Sequence, residues 1–140
     1  MTAEEYEEYG VPYDMEVLEA AKDGWMNTIH AHGPNIMLEL LKNYPVDVFN
    51  WHAWETYPAV DEASLVTGKC LMGGLNRTDI TQCNRNAIRH QIFECFKMMK
   101  GRGQILTPGC VIRYPLDTKM LGFIKTTKEE IEQKMIVYSR

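Results

Sequence analysis

The chain has no CxxC pair among its four cysteines, Cys70, Cys83, Cys95 and Cys110, and no short-spaced cysteine framework. That excludes a zinc ribbon and argues against a disulfide scaffold, so free thiols in a reducing, cytoplasmic setting are the simplest expectation. No apolar run approaches the roughly 20 residues of a membrane span, and the acidic N-terminus lacks a signal-peptide core. No membrane partner is expected. Basic residues are also few: 15 against 19 acidic ones, a formal charge of −4, with no lysine or arginine cluster that could track phosphates. Nucleic acid is therefore not expected as a partner. What the chain does have is 140 residues that are 45% hydrophobic, enough for one domain with its own core.

Strand-like and helix-like stretches alternate. Asp14 can cap a helix through Met15, Val17, Leu18 and Ala21 that stops at Gly24, and Trp25–His30 reads as a strand. Pro34 stands at a first helical position ahead of Ile36, Met37, Leu40 and Leu41. A second strand, residues 46–51, leads through a loop to a short helix at Asp61–Val66 closed by Gly68, and Lys69–Gly73 reads as a third strand. Thr78 or Asp79 is placed to cap the longest helix, which ends at Gly101 and Gly103. Gln104–Thr107 is the fourth strand, and helix resumes at Thr118. Four βα units joined by short connections imply a parallel sheet with right-handed crossovers. That is half the number in a (β/α)8 TIM barrel.

The polar residues collect after the strands, at the edge where parallel α/β proteins place ligands. His30 and His32 share one face of the first strand, about 6–7 Å apart by the strand rise, while Ile29 and Ala31 face the helices. Cys110, after the fourth strand, would add a thiolate to the pair and leave one coordination position open, the pattern of a catalytic zinc site. The alternative reading makes the histidines hydrogen-bonded polar residues and Cys110 a small buried hydrophobe.

The stretches GWMNTIHAHG, VDVFNWHA, GKCLMGGLNRTD and QILTPGCVIRYPLDT, in this order and spacing, resemble the C-terminal half of the uroporphyrinogen decarboxylase superfamily. The resemblance covers residues 5–135. It implies that residues 1–140 form a C-terminal half of a TIM barrel, completed by a homo-oligomer or by a separate N-terminal half-barrel chain. Its members include tetrapyrrole decarboxylases and zinc-dependent methyltransferases that move methyl groups between corrinoid proteins and thiols. The methyltransferase branch carries a His-x-Cys-Gly element and a late Pro-Gly-Cys, matched here by His30, His32 and Cys110, with one cysteine ligand replaced by histidine. The decarboxylases carry Gly-His-Gly where this chain has Gly109, Cys110 and Val111. Their Gly-Asn-Leu-Asp element stands here as Gly73, Gly74, Leu75 and Asn76. Their principal aspartate and substrate-binding arginines belong to the N-terminal half, for which this chain has no counterpart.

The resemblance thus implies a zinc-dependent methyltransferase half-barrel with zinc as cofactor and a corrinoid, carried by a corrinoid protein, as methyl donor. A tetrapyrrole decarboxylase or a non-catalytic binding module is the alternative. His52 and Glu55 are the candidate catalytic residues, as fourth ligand, orienter or proton acceptor, against a plain solvated loop. Trp51 and Trp54 could stack on a flat macrocycle or cap the barrel mouth, as could Tyr57. Asn76 and Arg113 are placed with the tryptophans as cofactor contacts, and Arg77 and Arg113 could meet carboxylates or face solvent.

Overall fold

The computed structural model describes residues 1–138. Its elements follow the chain as α1 (Ala3–Tyr9), α2 (Val11–Ala20), β1 (Thr28–His30), α3 (Leu38–Leu41), β2 (Val48–Asn50), α4 (Val60–Thr67), β3 (Cys70–Leu75), α5 (Arg77–Thr81), α6 (Arg85–Met99), β4 (Gln104–Pro108) and α7 (Thr118–Tyr138). The four strands form one parallel sheet in the order β1-β2-β3-β4, consistent with half of a βα barrel. β1 and β4 lie at its two edges.

Register decides which side chains meet the helices. Thr28 pairs with Val48, Ile29 with Phe49 and His30 with Asn50, and Phe49 pairs with Leu71. Partners in a parallel sheet share a face. Ile29, Phe49 and Leu71 therefore turn together toward the helices, where Phe49 and Leu71 are buried and join Ala31, Leu41, Tyr44, Trp51 and Ala63 in one core cluster. A second cluster, built on Ile80, Ile88, Ile92, Met120 and Ile131, joins α5 and α6 to α7. The opposite face carries Thr28, His30, Val48, Asn50, Met72 and Ile105. Here Thr28 and His30 are exposed and Ile105 is 38% exposed.

Several boundaries differ from the sequence reading for physical reasons. Asp14 is no cap, because α2 already starts at Val11. Instead its carboxylate accepts hydrogen bonds from the hydroxyls of Tyr6 (2.6 Å) and Tyr44 (2.7 Å), tying both N-terminal helices to the segment after α3. α2 ends at Ala20 rather than Gly24, and β1 is only Thr28–His30, with Trp25 fully out in solvent. Pro34 does not start a helix: α3 is a single turn entered from Met37 in a left-handed conformation. Thr78 and Asp79 cap nothing. Asn76 caps α5, accepting from the N–H groups of Thr78 and Asp79, and Asn84 caps a separate α6, with Cys83 at φ 55 making the break. The longest helix is α7, not the one before Gly101. α4 and its stop at Gly68 stand where expected, within a residue.

Just before its last residue, Leu75, β3 carries two glycines, and the second lets it pass under α6. At Gly74, with φ 98, an added Cβ would lie 2.5 Å from the Cys95 sulfur and 2.6 Å from the Gln104 amide nitrogen. No larger residue fits that crossing without moving a buried neighbour.

Candidate metal centre

β1 and β2 end in register, and each continues with a polar residue two positions on. His30 pairs with Asn50, so His32 and His52 follow side by side. The backbone extends this pairing past the strands, since Ala31 N–H donates to the Asn50 carbonyl at 2.8 Å. The third contribution comes from β4. Its last residue, Pro108, is followed by Gly109, where an added Cβ would sit 2.8 Å from both the Cα of His52 and the carbonyl oxygen of Trp51. This close approach lays the loop after β4 against the loop after β2, and Cys110 follows at once.

The result is a cluster of His30, His32, His52 and Cys110 in which one ligand atom from each lies within 4.8 Å of all the others. The imidazole centroids are 5.7 Å (His30–His32), 5.8 Å (His30–His52) and 5.0 Å (His32–His52) apart. His52 is buried, Cys110 half-buried, and His30 and His32 exposed. A group of this composition is able to hold a metal ion.

Hydrogen bonding sets the tautomer of two of the rings. The side chain of Asn50 donates to the Met72 carbonyl at 2.6 Å, and a carbonyl can only accept, so that end is the amide nitrogen. Its Oδ1 therefore faces Nδ1 of His30 and must accept from it. In the neutral ring, Nε2 of His30 then keeps its lone pair. His52 repeats the arrangement, with Nδ1 lying 3.2 Å from Oε2 of Glu55, while Arg77 lies 3.3 Å from the other carboxylate oxygen. Burial pushes the Glu55 carboxyl up, but the hydrogen bond from His52 and the Arg77 cation outweigh it and hold the group below its ordinary value. The ionised carboxylate accepts, so in the neutral ring Nδ1 of His52 carries the proton and Nε2 the lone pair. That Nε2 is buried without any hydrogen-bond partner. A buried imidazole nitrogen without a partner, on a ring of a His/Cys cluster, is a donor that a metal ion could satisfy, and Asn50, Glu55 and Arg77 stand where outer contacts would orient such ligands.

The loop after β2 is pinned as well. The His52 carbonyl accepts from the N–H groups of Glu55 (2.8 Å) and Thr56 (2.9 Å), and the Trp54 indole donates to the Gly74 carbonyl at 2.6 Å.

His30, His32 and Cys110 thus come together as the sequence spacing suggests, and His52 joins them as a fourth donor with Glu55 behind it. The cofactor contacts do not gather with them in the same way. Trp51 is fully buried in the helix-side core, its indole donating to the Pro58 carbonyl at 3.1 Å, and has no accessible surface for stacking. Register explains this: Trp51 follows Asn50 and turns to the opposite face. Trp54 keeps 38% of its surface. The Asn76 side chain is taken up by capping α5, and its N–H donates to Gln91 at 2.9 Å. Arg113 is exposed in the segment after β4, and Tyr57 is exposed. Residue reading gives Asn50 no role; it names Glu55 as a catalytic candidate and Arg77 as a carboxylate contact, but not their pairing with each other. The signal for Asn50 is the spacing Asn50-Trp51-His52, which repeats the i, i+2 pattern of His30 and His32. Compared with known proteins, the chain matches no family model and no curated protein.

Proposed function

We propose that this chain is the metal-binding half of a methyltransferase-type barrel, holding zinc through His30, His32 and Cys110 with His52 as the fourth donor. The observation that carries the reading is the buried, unpartnered Nε2 of His52, aimed into a cluster whose other donors are already assembled. Zinc held there would supply Lewis acidity and, with one of the four donors displaced, would favour the thiolate form of a substrate thiol at neutral pH. Every other part is the chain's own. Asn50 and Glu55 hold two imidazoles in the metal-ready tautomer, Arg77 keeps Glu55 ionised, and Gly109 brings Cys110 within reach. Transfer of a methyl group from a corrinoid to that thiol is the reaction implied by the family resemblance.

The four-donor set favours a second reading. Three histidines and a cysteine fill a tetrahedral zinc site, and a site with no open position is a structural or binding site. One experiment addresses both. Zinc per chain is measured on purified protein, followed by X-ray absorption at the zinc edge before and after adding a small thiol. Near one zinc per chain, with sulfur coordination rising from one to two on thiol addition, supports the thiol-activating reading. An unchanged one-sulfur site supports the binding module. A folded protein that takes up no zinc in competition with a chromophoric chelator overturns both.

A further inference from the structure

The sheet is open at both ends, and hydrogen-bond parity identifies the free backbone groups. In β1, Asn27 and Ala31 bond to β2: Val48 N–H donates to the Asn27 carbonyl and Ala31 N–H to the Asn50 carbonyl. Thr28 and His30, one residue out of phase, turn their N–H and C=O groups to the open edge. In β4, Gly103 accepts from Leu71 and Gly109 donates to Leu75, so Gln104, Leu106 and Pro108 face away from β3. Both free edges run in the same direction. A slot of about 420 Å³ flanks β1, lined by Val17 and Leu18 of α2 on one side and by the consecutive residues from Thr28 to His32 on the other. Tyr9, Tyr13 and Val17, spaced four residues apart on α1 and α2, are exposed, and Val17 also lines the slot.

The flanks of the two edges are opposite in charge. Residues 3–20, which make α1 and α2, contain seven acidic residues and no lysine or arginine. The stretch from Lys97 to Lys128, which holds β4 and the first half of α7, contains seven lysines and arginines and one acid, Asp117; Lys97 and Lys128 at its ends pair with Glu94 and Glu132, which leaves five basic residues between them. A monomer leaves these two regions on opposite sides of the sheet.

We infer that the open edge of β1 and the slot beside it receive β4 of a second copy of this chain, and that the reciprocal contact closes an eight-stranded parallel barrel about a two-fold axis along the strands. Each β4–α7 flank then lies against the partner's acidic α1–α2 flank, so one contact made twice satisfies both edges and pairs both charges. The uncovered face with Met72 and Ile105 becomes the barrel interior, which in eight-stranded barrels is filled by side chains. Both metal clusters open at the same end of that barrel. The inference rests on the sheet edges and the charge pattern alone, so the zinc measurement and the mass measurement fail separately.

Native mass spectrometry and sedimentation velocity on the full chain test it. The expected species at low salt has twice the chain mass of 16.2 kDa and dissociates as salt is raised. Thr28→Pro removes one outward N–H without touching a bond of the existing sheet, and the side chain is exposed. It is expected to weaken the dimer by about tenfold or more while zinc uptake stays unchanged. Lys119→Glu with Lys125→Glu, both exposed, reverses charge on α7 without entering the sheet. This pair is expected to weaken the dimer in the same direction and carries the test where Thr28→Pro fails to fold. A monomer at low salt and high protein concentration overturns the inference. So does a dimer indifferent to both changes, or assembly beyond two chains.

Discussion

Cys110→Ser is expected to lower zinc affinity by at least about tenfold, because the hydroxyl is a poorer soft ligand than a thiolate, while the fold stays intact in far-ultraviolet circular dichroism. Asn50→Leu separates a metal role from a packing role. It removes the acceptor that keeps the His30 proton on Nδ1 without removing a ligand, and the expected loss is about 10–100-fold in zinc affinity, read by chelator competition. A variant with unchanged affinity would mean that His30 needs no orienting partner. A third residue-scale effect lies away from the cluster. Burial first, then the hydrogen bond to Asp14, pushes the Tyr44 hydroxyl well above its ordinary value, and the bond to Asp14 raises Tyr6 likewise. Both hydroxyls stay protonated in the folded chain at a pH where the unfolded tyrosines, near about 10, ionise. This stabilisation is fully present below pH ~10 and is lost as pH rises beyond it. Urea midpoints measured across alkaline pH should therefore fall above that point, and Tyr44→Phe should flatten the fall.

At the scale of elements, the position of Cys110 depends on how closely the loop after β4 approaches the loop after β2. Gly109→Ala places a methyl group 2.8 Å from backbone atoms that have no flexible end to give way. The expected cost is about 1–3 kcal/mol in urea denaturation, with weaker zinc uptake because Cys110 is displaced. The element pattern was legible where a local signal acts alone. Gly68 stops α4, and the polar residues at the ends of β1 and β2 mark the site. It was not legible where tertiary contacts compete with local ones. The pattern from Ile80 to Met99 has one apolar face and reads as one helix. Yet Asp79 also accepts from Gln91 and Asn84, which favours a short α5 folded back on a newly capped α6. Pro34 marks a helix start by itself, but Ile36 and Leu38 bury themselves in the core before the first turn forms. His52 was visible as a candidate ligand but not as a buried donor, because the loop after β4 that packs against its backbone at Gly109 lies almost sixty positions away in the chain.

For the whole molecule, a metal bound only by the folded chain adds stability by mass action. At free zinc about 100-fold above its dissociation constant the gain is about 2.7 kcal/mol, so chelation should lower the thermal midpoint and zinc should restore it. No described helix is long and apolar enough to cross a membrane. Exposed apolar side chains among the described residues include Tyr9, Tyr13 and Val17 on α1 and α2, Trp25 before β1, Leu65 on α4, Ile105 on the sheet face away from the helices, and Val111 and Tyr114 after β4.

The matched ends of β1 and β2 carry one more consequence. His30 meets Asn50 only in the observed register, and a slip of one residue would set Phe49 or Trp51 beside the imidazole and turn Asn50 into the core. A slipped chain would lose the orienting amide and the neighbouring His52 together. If the proposed site takes up a metal, uptake would therefore report strand alignment: a chain that captures the ion would have paired its first two strands correctly, and a misaligned chain would be left without it.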